Sequence, residues 1–171
     1  FGVTTVTMIN AGIPTKFLPA EALSYTGTEL QEDINSKPAE LEKLEHIRAR
    51  ASVAMGITTE IGESKNLQHI PKLAFLSAPQ DYVSSSGKNI KAKDVNLLVR
   101  AMSMGKVHHA MMGTAAVAIG AAAAIPGTVV NKVTSINSQK KSIVFGHPSG
   151  TLRVGADAVQ TSGKWVIQEV S

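Results

Sequence analysis

Cysteine is absent from these 171 residues, so neither a disulfide framework nor a thiolate metal site can form. Aromatic side chains are scarce, with one Trp, two Tyr and four Phe, which leaves little surface on which nucleobases could stack. Charged residues make up only 18%, but a hydrophobic content of 43% places the chain with globular rather than disordered proteins. The longest uncharged stretch, Val107 to Asn131, is rich in Ala and Gly and contains Pro126, which predicts a buried helix and no membrane contact. Phosphate-binding Walker loops, GxSxG elbows and HExxH helices are missing as well. One domain with a real core is what this length allows.

What charge there is divides unevenly. Residues 1–64 carry five Lys/Arg against nine Asp/Glu, and residues 65–171 carry twelve against four. A basic second half suits a small polyanion. Its lysines and arginines are scattered and not interleaved with aromatics, so no nucleic-acid partner is expected.

The pattern along the chain alternates between sheet and helix signals. "GVTTVTMINAG" is β-branched and stops at Gly12 and Pro14, which predicts a strand and a turn, and "IPTKFLP" continues it. Thr26 and Glu29 have the spacing of a capping box, predicting a short helix that ends near Asn35 and Ser36. The next helix is signalled by Ser36 as cap, Pro38 in the first turn and an apolar face of Leu41, Leu44, Ile47, Ala51 and Ala54. Its charges read as a solvated face. "KLAFLSAP" and "DVNLLVRAMSM" read as strands on either side of a polar loop, "DYVSSSGKNIKAKD". After the Ala-rich helix, which "PG" ends at Ile125, four β-type segments are predicted: "TVVNKVTS", "KSIVFG", "TLRVGADAV" and "KWVIQEV". "NSQKK" and "TSGK" supply turns. The expected fold class is α+β, a mixed or antiparallel sheet rolled around a central Ala/Gly-rich helix, because small side chains let strands approach that helix on every side.

Three stretches have side chains suited to chemistry. In "KVHHAMMGTAAVA", a helix entrance presents unpaired N–H groups and the positive end of the helix dipole, a setting that binds carboxylates. Gly113 lets an anion approach, Thr114 adds a hydroxyl, and Lys106, His108 and His109 stand just before the entrance. The plainer reading is a capped, buried helix. Adjacent histidines do not make a metal site, since on a strand they point to opposite faces and no acid is near. "GHPSG" sets Ser149 and Gly150 between two strands, either as an ordinary turn or as a rigid loop facing a ligand. "MINAGIPT" places Asn10, a donor and acceptor, beside Gly12, again open to a plain turn reading.

Together, "VTMINAGIPTKFLPAEALSYTGTELQEDINS", "IRARASVAMG", "LVRAMSMGKVHHAMMGTAAVAIGAAAAIPGTVVN" and "GHPSGTLRVGADA" closely resemble the C-terminal half of the PrpF family. These are 2-methylaconitate cis-trans isomerases and related tautomerases, on the diaminopimelate epimerase fold. The resemblance implies two similar domains, each a sheet rolled around a helix, with the substrate held between them. In the epimerases a cysteine precedes each helix entrance; here Met112 falls at that place and Ala115 replaces a second glycine, while Gly113 and Thr114 match the pair that grips a carboxylate. The family's principal acid/base residues, a lysine and a cysteine, belong to the N-terminal domain. Residues 1–171 are therefore expected to be a single, C-terminal domain with no catalytic residue and no metal of its own. Its expected substrate-facing wall is Asn10, Gly12, Ser103, Lys106, His108, Gly113, Thr114, Ser149 and Gly150. The resemblance further implies no cofactor, a small unsaturated di- or tricarboxylate from propionate and 2-methylcitrate metabolism, and a cytoplasmic location. Its partners would be the N-terminal domain and a second copy in a homodimer, and the exposed half-pocket would favour artificial self-association of the domain in isolation. The alternative is a non-catalytic carboxylate-binding or protein-interaction module of the same fold.

Overall fold

The computed structural model describes residues 3–134 and 142–171. It is an α+β fold built on one mixed sheet. Strands β1 (Thr7–Ala11) and β2 (Ile13–Pro19) form a hairpin whose tip is Gly12. Helices α1 (Gln31–Asn35) and α2 (Pro38–Ala54) follow, then β3 (Lys72–Ser77), which joins β2 in parallel. A small separate hairpin, β4 (Tyr82–Val83) with β5 (Asn89–Ile90), precedes β6 (Leu97–Ser103) and the short β7 (Lys106–Val107). Helix α3 (Gly113–Ala124) and helix α4 (Val129–Thr134) lead to β8 (Ser142–His147), β9 (Gly150–Thr161) and β10 (Lys164–Val170). The strand order is β1-β2-β3-β6-β8-β9-β10, with β7 beside β6.

Helix α3 touches β1 and β2 near one edge of this sheet and β9 and β10 near the other. A sheet whose two edges reach one helix must be curled around it. Alternation along the strands explains how both faces are filled. Phe17, Ala74, Leu76, Val99 and Ala101 point inward onto Ala118, Ile119 and Ala122 of α3. Their neighbours Leu18, Leu73, Phe75 and Met102 point outward onto Leu44 of α2 and Ile34 of α1. The inner face works because α3 is thin. A Cβ at Gly120 would stand 2.9 Å from Val154 Cγ2, so strand β9 can lie against the helix only where that residue has no side chain.

Several local expectations change. "TVVNKVTS" is not a strand: residues 129–134 form α4. Thr128 caps it, its hydroxyl oxygen accepting from Asn131 N–H at 3.0 Å, and Val129 and Val130 are buried in the α3 cluster. β-propensity reflects a fit to a half-buried surface, and here a helix supplies that burial better. Glu29 does accept from Thr26, at 2.6 Å from its backbone N and 3.0 Å from its hydroxyl, but this closes a loop, and α1 starts later at Gln31. Ser36 ends α1 by donating to Glu32 O at 2.6 Å and does not cap α2, whose N-cap is Lys37. Ala54 is exposed, and Arg48 is no part of a solvated face. Only 2% exposed, it pairs with Glu45 at 2.7 Å and donates to the carbonyls of Ser64, Leu67 and Ile70, tying that segment to α2. The polar loop contains the β4–β5 hairpin. The "NSQKK" turn lies outside the described residues. No helix among the described residues is long and apolar enough to cross a membrane.

Candidate carboxylate site

Helix α3 opens without a side-chain cap. Met112 is the N-cap residue with extended backbone (φ −72°, ψ 136°), and the first helical bond is Ala116 N–H to Met112 O at 2.9 Å. Met111 and Met112 pack on the inner core, which fixes the angle at which the chain enters. Gly113 and Thr114 are exposed, and nothing lies within 4 Å of the place a Gly113 Cβ would take. The Gly113 and Thr114 N–H groups thus belong to exposed residues at the positive end of a twelve-residue helix.

The β1–β2 tip rests against this turn. Gly12 has φ +75°, and a Cβ there would sit 3.0 Å from Val117 Cγ1 and 3.8 Å from Thr114 O. Both the conformation and the contact call for glycine. Asn10 is exposed and belongs to the other face of β1, since its neighbour Ile9 packs inward on the α3 cluster. The hairpin tip, not the amide, is what the structure brings to α3.

The β8–β9 turn reaches the same end of the sheet and is latched there. Ser149 donates from its hydroxyl to His109 O at 2.7 Å, with His147 Nδ1 at 3.4 Å. The Ser149 hydroxyl proton is therefore engaged inside the wall and is not pointed at a ligand. Tyr82 shares its one hydroxyl proton between His147 O and Gly150 O, each at 2.8 Å, while Ser85 N–H holds Pro148 O at 2.8 Å. Behind them Arg100, fully buried, stacks 5.0 Å from the Tyr82 ring centroid and donates to Glu29 O, Val99 O and Gly146 O. Burial pulls its pKa down to about 10, so it remains a cation at neutral pH. Burial, with Arg100 beside it, also lowers the His147 pKa, which keeps that imidazole neutral.

His108 is half-buried. Its Nδ1 lies 2.7 Å from Ala110 O and 3.2 Å from Ala110 N, and its ring stacks on His109 with centroids 4.8 Å apart. Lys106 is exposed, across the β6–β7 pair from Ser103. Ser103 accepts a hydrogen bond from Lys72 Nζ at 2.9 Å. Tyr82, Arg100 and Lys72 were not anticipated. Two of them had a signal: Lys72 and Arg100 are lone cations inside the apolar runs "KLAFLS" and "LLVRAMS", where only a specific partner allows burial. A cavity of about 430 Å³ lies at the far end of α3, lined by Gly120, Ala123, Pro126, Val154 and Trp165. None of the candidate residues lines it, so cavity size does not mark the site.

An exposed helix entrance, a glycine tip laid on its first turn and a latched Gly-His-Pro-Ser-Gly turn are the parts expected from the family resemblance. The profile of the PrpF protein family matches residues 1–171. The chain belongs to the PrpF family. It is 62% identical over 161 residues to the 2-methyl-aconitate isomerase of Shewanella oneidensis, covering 94% of this chain and 40% of that protein. To the 2-methyl-aconitate isomerase of Cupriavidus necator it is 54% identical over 168 residues, 98% of this chain and 42% of that one. The crystal structure of methylitaconate-delta-isomerase superposes with a TM-score of 0.86 at 34% identity, over 97% of this chain and 44% of that one. The rolled sheet around a helix is thus the diaminopimelate epimerase-like fold expected of this PrpF chain. The chain spans about two fifths of the length of these curated relatives.

Proposed function

We propose that this chain forms one wall of the substrate pocket in a cytoplasmic cis-trans isomerase that acts on 2-methylaconitate or a related unsaturated tricarboxylate. The open entrance of α3 carries the reading. The reaction removes a proton from a carbon beside a carboxylate, gives a delocalised enolate-like anion, and returns the proton with the double bond moved or rotated. Such a path needs a base, an acid and donors for the developing charge. The N–H groups of Gly113 and Thr114 hold a carboxylate and draw charge toward it as the anion forms. The Gly12 tip and the Gly150 turn close the sides. Met112 has no acid or base to offer, and the resemblance to the PrpF family assigns proton transfer to a lysine and a cysteine of the N-terminal domain. The scheme calls on no cofactor, and its place is in the use of propionate through 2-methylcitrate.

Two measurements test this. The full-length protein is expected to interconvert the cis and trans forms of 2-methylaconitate, and the 171-residue chain alone to show no turnover. Turnover by the short chain would place acid and base within it and overturn the division of labour; binding without turnover in the full-length protein would favour a non-catalytic module. Gly113→Pro tests the grip. The first helical position favours proline, Met112 already has the extended backbone that a following proline requires, and no atom crowds the site. The substitution deletes one N–H donor while keeping the melting temperature, and should weaken carboxylate binding about tenfold, the worth of one charge-assisted hydrogen bond. Undiminished binding would remove the helix entrance from the site.

A further inference from the structure

We propose that Lys72, acting through Ser103, is a second carboxylate-recognition element of this wall and selects acids that carry an additional negative charge. The proposal rests on the reading of the wall as part of an isomerase pocket. Lys72 opens strand β3 beside Thr15 of β2. It shares its alternation with Ala74 and Leu76, whose side chains pack on the α3 cluster, so Lys72 stands on the α3-facing side of the sheet. It stands at the end where the Gly12 tip, Ser103 and the loop into α3 come together. Lys72 is only 6% exposed.

An ammonium group at that depth ordinarily has an anion for company. Here its partner is the neutral hydroxyl of Ser103, at 2.9 Å. Among the described residues no carboxylate forms an ion pair with Lys72. The charge that acts on it is Arg48, of the same sign. Burial followed by Arg48 lowers the Lys72 pKa, a tension that an arriving carboxylate relieves.

The hydroxyl completes the argument. The Ser103 oxygen already accepts an N–H from Lys72, so its own O–H is left to donate. Ser103 is half-buried, the last residue of β6, and reaches the surface just ahead of the Met104–Gly105 turn. A carboxylate meeting that O–H makes a hydrogen bond strengthened by the ammonium behind it. One carboxylate at the α3 entrance and another at Ser103 would distinguish a tricarboxylate from a shorter acid. Lys72 is then a positioning residue, and Ser103 the group that touches substrate.

The test uses the full-length protein with two inert acids, tricarballylate and glutarate, which lacks the central carboxylate, titrated calorimetrically. K72M and S103A should each weaken tricarballylate by about tenfold or more and glutarate by less than about threefold, on the scale of a lost charge-assisted bond. K72R should restore part of the selectivity. Because K72M removes a buried, uncompensated charge, it should melt at or above the wild-type temperature while binding less, which a structural lysine would not do. Unchanged selectivity in S103A, or a K72M protein that merely loses stability and weakens both acids alike, overturns the proposal and leaves the isomerase reading intact. A wild-type protein that binds neither acid overturns that reading, and the role of Lys72 with it.

Discussion

His147 shows how a single buried residue sets a pH limit on the wall. Its folded pKa is depressed, first by burial and then by Arg100, with a hydrogen bond to the Thr151 backbone partly opposing. The unfolded chain therefore takes up a proton at higher pH than the folded one, so stability is full above the ordinary histidine value of 6.5 and falls as pH drops through it. The lowered carboxylates, Glu40, Glu63 and Asp81, titrate below 4.5 and stay out of this window. Between pH 7 and pH 5 the melting temperature of the wild type should fall by about 1–2 °C more than that of His147→Gln, a shift of about 0.5 kcal/mol. Equal falls in the two proteins would show that His147 is not buried neutral. The two buried arginines are each pinned by carbonyl oxygens, and each anchors a loop, residues 61–70 for Arg48 and the β8–β9 turn for Arg100.

Among the elements, α3 has the strictest requirement. Gly120 would normally be a weak point in a helix, since alanine is better there by about 1 kcal/mol. Against this, an added Cβ meets Val154 Cγ2 at 2.9 Å, and the β-branched Val154, held in strand β9, has little freedom to turn aside. Overpacking outweighs propensity, so Gly120→Ala should destabilise by about 1–2 kcal/mol in urea titrations. Val154→Ala opens the room for the new methyl, so the double variant should be more stable than the two single losses added together predict. Strict additivity would show that the helix and strand β9 are not in contact at this point. The α4 segment teaches the converse. Its valines favour a strand in isolation, and only the Thr128 cap and the buried face of α3 make it a helix.

At the scale of the molecule, the β9–β10 hairpin leaves apolar side chains uncovered. Leu152, Trp165 and Val166 are exposed, the last two at 40% and 46%. Consecutive strand residues point to opposite faces, so Trp165 and Val166 leave apolar surface on both sides of this ribbon, where a second copy can associate. The 171-residue chain should self-associate at tens of micromolar, the range of weak apolar contacts. Trp165 is the one tryptophan, so its emission reports the event directly. Trp165→Lys should leave the chain monomeric in sedimentation velocity; unchanged association would move the sticky surface elsewhere.

Much of this was legible in order along the chain. The punctuation by Gly12, Pro38 and Pro126, the run of small residues in α3 and the Gly-Thr at its entrance are local signals, and local backbone chemistry obeys them wherever the chain goes. The α+β class followed from their sequence, and the family from the motifs they sit in. Tertiary structure decided the rest, because what matters there is contact between residues far apart in sequence. That Ser149 latches His109 and is not free to face a ligand, that Tyr82 holds both ends of the β8–β9 turn, and that Asn10 lies on the outer face of β1 depend on how strands register and curl. Lys72 is the sharpest case. In sequence it is a charge at the head of an apolar strand; in the fold it is a buried cation whose partner, Ser103, comes from 31 residues away. A hydrophobic pattern can demand that a strand be buried. It cannot say which hydroxyl will be waiting when it is.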